Sequence, residues 1–162
     1  VPSVFVIDTQ EELEAMFAEI AADFEGLTSS DSGRTWAEDS VGIAEESMRQ
    51  GFEQSKAPNG GGWAPNAPAT IKRKGHGKVL RDTGRLGVSL TQSTHPDAVV
   101  EIVAEPSGCG FSRGTSVEYS QINQTGSKRA PARPHVGLTE EAVDEMTELG
   151  ADLAIEHLKA GA

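Results

Sequence analysis

Residues 56–85 constrain this chain more than any other stretch. They hold Gly60, Gly61, Gly62, Gly75, Gly77 and Gly84, three prolines, and only Trp63, Ile71, Val79 and Leu80 as large apolar groups. Such a segment cannot cover itself with a core. An irregular connection longer than about 15 residues is uncommon in a compact domain, and is usually functional or ordered by a partner. The segment is therefore expected to be an extended, basic, Gly/Pro-rich loop.

Periodic elements flank it. Residues 3–8 read as a short strand. Thr9 with Glu12 forms a capping-box pattern that predicts a helix from about residue 10, with Leu13, Phe17, Ile20 and Phe24 on its core face and Gly26 at its end. Thr35 with Glu38 repeats the pattern, and Val41, Ala44, Met48 and Phe52 carry a second stripe to about Gly51. Beyond the loop, Leu86, Val88 and Leu90 alternate as in a half-buried strand. Residues 98–104 form another strand after a His95-Pro96-Asp97 turn. A glycine-rich connection around Cys109 leads to a third strand near 115–117. Tyr119 and Ile122 suit a helical turn closed by Gly126, and residues 130–134 are extended because each proline biases its predecessor away from the helix. Thr139 caps a last helix with Val143, Met146, Leu149 and Leu153 inside. The expectation is an α+β fold: a curved antiparallel sheet packed by amphipathic helices.

The 162 residues suit one domain, since two halves of about 80 would each sit near the lower limit for a stable core. It divides into a strand and two acidic helices (1–55), the loop (56–85), a sheet region (86–137) and a C-terminal helix (138–162). The net charge of −11 divides the same way. Residues 1–55 carry 13 acidic and 2 basic side chains, whereas residues 56–100 carry 2 and 7. Residues 138–162 return to 7 acidic and 1 basic. Acidic ends around a basic middle allow complementary contacts between copies or with a partner. The total charge disfavours a DNA-coating role, and no apolar run approaches the roughly 20 residues that span a bilayer. No signal-peptide pattern is visible and the single Cys109 cannot form an intramolecular disulfide, so assembly inside the cell is expected.

Chemistry is sparse. His76, His95, His135 and His157 have no ligand-spaced partners, Cys109 has no local base, and Gly75-His76-Gly77-Lys78 lacks the remainder of a phosphate loop. No enzyme, cofactor or metal is expected. Lys72, Arg73, Lys74, Lys78, Arg81 and Arg85 could contact phosphates, which makes a nucleic-acid-binding accessory protein the alternative reading. Docking of these cations on acidic helices of a neighbouring subunit explains them without a further partner, and is favoured.

One set of motifs is specific in order and spacing: Gly62-Trp63-Ala64-Pro65, Thr70, Lys72, Leu80-Arg81-Asp82-Thr83-Gly84-Arg85-Leu86, Ser89, Tyr119-Ser120, Ile122-Asn123-Gln124, Gly126, Pro131-Ala132-Arg133-Pro134 and Gly137. Over these residues the chain resembles the phage virion morphogenesis (tail completion) family. Departures are Asn123, Thr125 and His135, where the family commonly has His, an aromatic residue and Phe. The first 55 residues carry no matching motif.

The resemblance implies a non-enzymatic virion protein of the neck or tail junction. It would form a closed ring, usually a hexamer, between the tail tube protein and a head-completion or connector protein, assembled in the host cytoplasm. DNA would pass through the channel without specific binding, and no membrane is involved. On this reading Trp63 and Pro65 anchor the arm in an apolar interface pocket. Lys72, Arg73, Lys74, Lys78, Arg81 and Arg85 face an adjacent subunit. Leu80, Gly84, Leu86, Tyr119, Gln124, Gly126, Arg133 and Pro134 form the structural motif, with Arg133 suited to a bidentate carboxylate contact.

Overall fold

The computed structural model describes residues 10–29 and 31–161. The elements run α1 (Gln10–Ser29), α2 (Asp31–Gln54), α3 (Pro68–Lys74), α4 (Arg85–Thr91), β1 (Ala98–Glu105), β2 (Gly108–Thr115), α5 (Ser120–Thr125) and α6 (Glu140–Gly161). The expected α+β class is borne out, with helices dominant and one antiparallel hairpin as the sheet. The strand expected over residues 3–8 lies outside the described residues.

Helix α2 is the axle. Ala37, Val41, Ala44, Met48 and Phe52 recur every three or four residues and are all buried. This face packs on α1, α4, α6 and both strands. Burying one such side chain contributes about 1.5–3 kcal/mol for the larger members. The helix starts at Asp31, ahead of the expected Thr35 cap, which leaves Thr35 and Glu38 inside it. A carboxylate in the first turn favours the positive end of the helix dipole. The Trp36 indole N–H donates to the Met146 carbonyl at 2.9 Å and ties α2 to α6. Thr139 caps α6 as expected, its hydroxyl accepting from the Ala142 N–H at 3.3 Å. Met146 is buried on the inner face of α6, but Val143 is exposed.

Three sequence expectations are corrected. Leu86 to Leu90 is helix α4, not a strand. Leu86, Ser89 and Leu90 are buried at helical spacing while Val88 is exposed, and the i, i+4 pair Leu86/Leu90 satisfies both periodicities. The glycine-rich connection around Cys109 is itself strand β2. It pairs along its length with β1 from Ala98↔Thr115 to Glu105↔Gly108, so backbone pairing overrides the low strand propensity of its glycines. Helix α1 does not bury its expected stripe: Phe17, Ile20 and Phe24 are 58, 54 and 58% exposed. The end of α1 is anchored where the buried Thr28 hydroxyl donates to the Pro106 carbonyl at 3.3 Å.

A buried ion pair locks these elements together. The Arg113 side chain is 2% exposed, and its Nε donates to Glu45 Oε1 at 2.9 Å. Its remaining donors reach the carbonyls of Ser89, Val99 and Gly114 at 2.7–3.3 Å. One guanidinium thus joins α2, α4, β1 and β2. Removing one partner of a buried pair leaves the other uncompensated. Glu45→Ala should therefore lower the unfolding free energy in denaturant titrations by about 3 kcal/mol. Glu38→Ala, whose partner Arg34 is exposed, should cost no more than about 1 kcal/mol.

Candidate assembly surface

The 56–85 segment is not an extended loop. Its first turn is closed by backbone bonds from Ala57 N–H to the Gly61 carbonyl (2.7 Å) and from Trp63 N–H to the Ser55 carbonyl (2.8 Å). Pro68 opens α3 at a position where a missing N–H costs nothing, and Gly75 closes it in the left-handed region at φ 75°. The Asn66 side-chain amide donates to the carbonyls of Gly77 and Lys78 at 3.2 and 3.0 Å, drawing the two ends of the excursion together. Ala57, Trp63 and Val79 are buried in the main core at three separated points. A segment too poor in apolar groups for its own core borrows the core of α2.

Trp63, expected to face a neighbouring subunit, instead fills its own chain's interior. It is 8% exposed and meets Phe52 edge-on with ring centroids 5.3 Å apart. Its indole N–H donates to the Pro134 carbonyl at 2.6 Å. Little of its surface is left for a neighbour. Pro65 is exposed, and its carbonyl accepts from Arg133. Arg133 is bidentate, but to backbone rather than to a carboxylate: Nε donates to Ala64 O at 2.9 Å and Nη2 to Pro65 O at 3.0 Å. The physical reason is the chain's course, which lays two carbonyls of the arm across the guanidinium plane.

The remaining motif residues hold this clasp in place. The Gln124 side-chain oxygen accepts from the N–H groups of His135 (2.8 Å) and Val136 (3.0 Å), while its Nε2 donates to Val136 O at 3.0 Å. The Arg133 N–H donates to the Asn123 carbonyl at 2.7 Å. Gly126 ends α5 at φ 78°, where a Cβ would lie 2.7 Å from the Ala132 nitrogen; only glycine fits. Gly84 caps α4 at φ 86°, turning the chain into the buried Leu86. Leu80 sits at φ 54°, an outlier for a bulky side chain, held by packing against the core.

His135 is 2% exposed. Its Nδ1 faces the Arg133 carbonyl at 2.9 Å and must carry the hydrogen, so Nε2 accepts from the Ser120 hydroxyl at 3.0 Å. Burial pushes the imidazole below its usual value near 6.5, against a smaller upward pull from the Arg133 carbonyl.

The outward side of the clasp carries the cations. No residue of α3 is buried. Arg73 pairs with Asp82 at 3.0 Å, and Arg85 grips Asp97 at 2.5 and 2.8 Å, holding that carboxyl below its usual range. Lys74 donates to the Lys78 carbonyl at 3.0 Å, and partial burial lowers its ammonium. Lys72 and Lys78 are exposed and make no ion pair among the described residues, and neither does the half-buried Arg81. A groove of roughly 530 Å³ runs between α3 and α5, with Leu80 and Tyr119 along it and Arg73 and Lys74 on its rim. Arg81 lies outside this groove, facing Phe52 and Glu53. The Arg113–Glu45 pair escaped sequence reasoning because its members are 68 residues apart with no local signal.

No metal-binding cluster occurs among the described residues, and no described helix is long and apolar enough to cross a membrane. Cys109 is half-buried in β2 opposite Ala104.

The depressed His135 binds a proton more readily in the unfolded chain, so stability is highest above about pH 6.5 and falls as pH drops through the folded value. Thermal melts should show the wild-type Tm decreasing from pH 7.5 to 5.5, with a shallower slope in His135→Phe.

A model of the phage virion morphogenesis family matches residues 8–158. No curated protein and no solved structure matches significantly. The match extends across the clasp, the hairpin and both long flanking regions, including residues 8–55, which carry none of the matching motifs. The chain belongs to the phage virion morphogenesis family, and is a protein of phage virion assembly.

Proposed function

We propose that the chain is a structural subunit of the head–tail junction, forming a closed ring, most simply a hexamer, that terminates the tail tube and presents a docking surface to the head. The family match over residues 8–158 carries this reading. Two features of the subunit support it. The motif residues Trp63, Gln124, Gly126, Arg133 and Pro134 hold the arm to the body, so a preformed platform, α3, is offered to a neighbour. The exposed cations on and just after it, Lys72, Arg73 and Lys78, stand on a chain whose net charge is −11. Unlike surfaces on one subunit make a heterologous contact, and such contacts close into rings when the rotation closes.

The role is architectural and needs no catalysis. DNA passing through the channel would meet acidic helix faces, of which α6 supplies seven carboxylates against Lys159. Repulsion of the phosphate backbone lets it pass without sticking. The tail tube protein on one side and a head-completion protein on the other are the expected neighbours.

Native mass measurement should give a discrete assembly of about six 17.1 kDa subunits, and electron microscopy should show it capping purified tail tubes. A protein that stays monomeric and leaves tubes uncapped contradicts the reading. Salt-sensitive retention on DNA, lost on Lys72→Ala with Arg73→Ala, would favour the nucleic-acid alternative.

A further inference from the structure

Helix α1 leaves Phe17, Ile20 and Phe24 more than half exposed. At about 100° per residue these three fall within an arc of roughly 60°, so they form one continuous apolar stripe. Aromatic side chains carry the largest apolar area per residue, and a stripe of this kind on a helix is a typical groove-binding surface. On the same projection Glu14 and Asp23 flank the stripe, each roughly 90° from its centre. The helix holds six carboxylates and no basic residue.

This charge pattern restricts what can cover the stripe. A second α1 would bring six carboxylates against six. The outer face of α6, with seven carboxylates, is equally unfavourable. An anionic lipid surface is repelled for the same reason. The occupant must offer apolar surface with a cationic border. The chain carries such a surface: the groove between α3 and α5, whose lining holds four cations, Arg73, Lys74, Arg85 and Arg133, against one carboxylate, Asp82. Leu80 and Tyr119 line it, Ile71 and Ile122 are exposed on the flanking helices, and Arg73 and Lys74 stand at its edge. Within the subunit Phe17, Ile20, Phe24 and Tyr119 are exposed, and Leu80 is half-buried against the core.

We infer that α1 of one copy docks in the α3–α5 groove of the next, with Phe17, Ile20 and Phe24 against Leu80 and Tyr119, and with Glu14 and Asp23 meeting Arg73 and Lys74. The contact joins two different faces and is therefore heterologous, the kind a ring requires. This inference rests on the ring reading above and names the element that each subunit gives to its neighbour. The acidic helix that the basic platform receives is α1.

Charge reversal with rescue tests it by sedimentation and native mass. Phe17→Ser with Ile20→Ser should weaken assembly at least about tenfold without lowering the Tm, because both side chains are more than half exposed in the subunit. Glu14→Lys with Asp23→Lys should weaken it too, as should Arg73→Glu with Lys74→Glu. Combining the two reversals should restore assembly. Wild-type assembly that is unaffected by the α1 substitutions overturns this contact and leaves the ring reading standing. The same holds if both reversals weaken assembly but their combination does not recover it. Rings that form normally from α1 variants yet fail to cap tubes would overturn it as well, assigning α1 to the tail tube. A wild-type chain that is monomeric at every concentration overturns the ring reading and this contact together.

Discussion

The guanidinium of Arg133 is the constraint on which the assembly surface depends. It is almost fully buried, and it faces two carbonyls of the arm, Ala64 and Pro65, rather than a carboxylate. A buried charge is tolerable only when its donors are satisfied, so the arm cannot leave without exposing the cation's need for partners. Next to Ala64 in the arm, Trp63 returns the contact by donating to the Pro134 carbonyl. The exchange is reciprocal: each strand of the clasp supplies a large side chain and the other supplies the backbone oxygen. Gln124 and Gly126 hold the receiving segment in register.

The clasp changes the meaning of the glycine-rich segment. A loop ordered only by a neighbour would carry the entropy of ordering into the assembly step. A segment already fastened at Ala57, Trp63 and Val79 has that cost met during folding, and it offers α3 and its cations as a rigid platform. The subunit is thus unequal in its preparedness. The α3–α5 side is built, while α1 extends from the body with its aromatic side chains uncovered. The Glu45–Arg113 pair gives the hairpin and α2 the rigidity to support both.

Much of the fold was legible where one periodicity dominated. The Val41–Phe52 stripe, the β1 strand after its His95-Pro96-Asp97 turn, the turn closed by Gly126 and the Thr139 cap all rest on local sequence. Failures arose where local patterns are degenerate or where distant partners decide. Leu86/Leu90 fits either a strand or a helix, and only burial against α2 separates them. The glycines of β2 carry no strand signal, because the ladder with β1 supplies the stabilisation. The motif residues of the site were legible as a set, but their roles were not. Nothing local tells that Arg133 grips carbonyls or that Trp63 points into its own subunit. Helix α1 shows the converse: its amphipathic stripe was legible, and the fold leaves it uncovered.

The most direct measurement of the central claim is amide hydrogen exchange on dilute, unassembled subunits, read at residues 55–65 and 123–136. Because backbone bonds such as Trp63 N–H to Ser55 O and Arg133 N–H to Asn123 O exist within one chain, these amides should be protected before any neighbour is present. Protection should approach that of the amides in α2. Exchange at the rate of an unfolded chain, with protection gained only on assembly, would contradict the account and make the arm a device ordered by its partner.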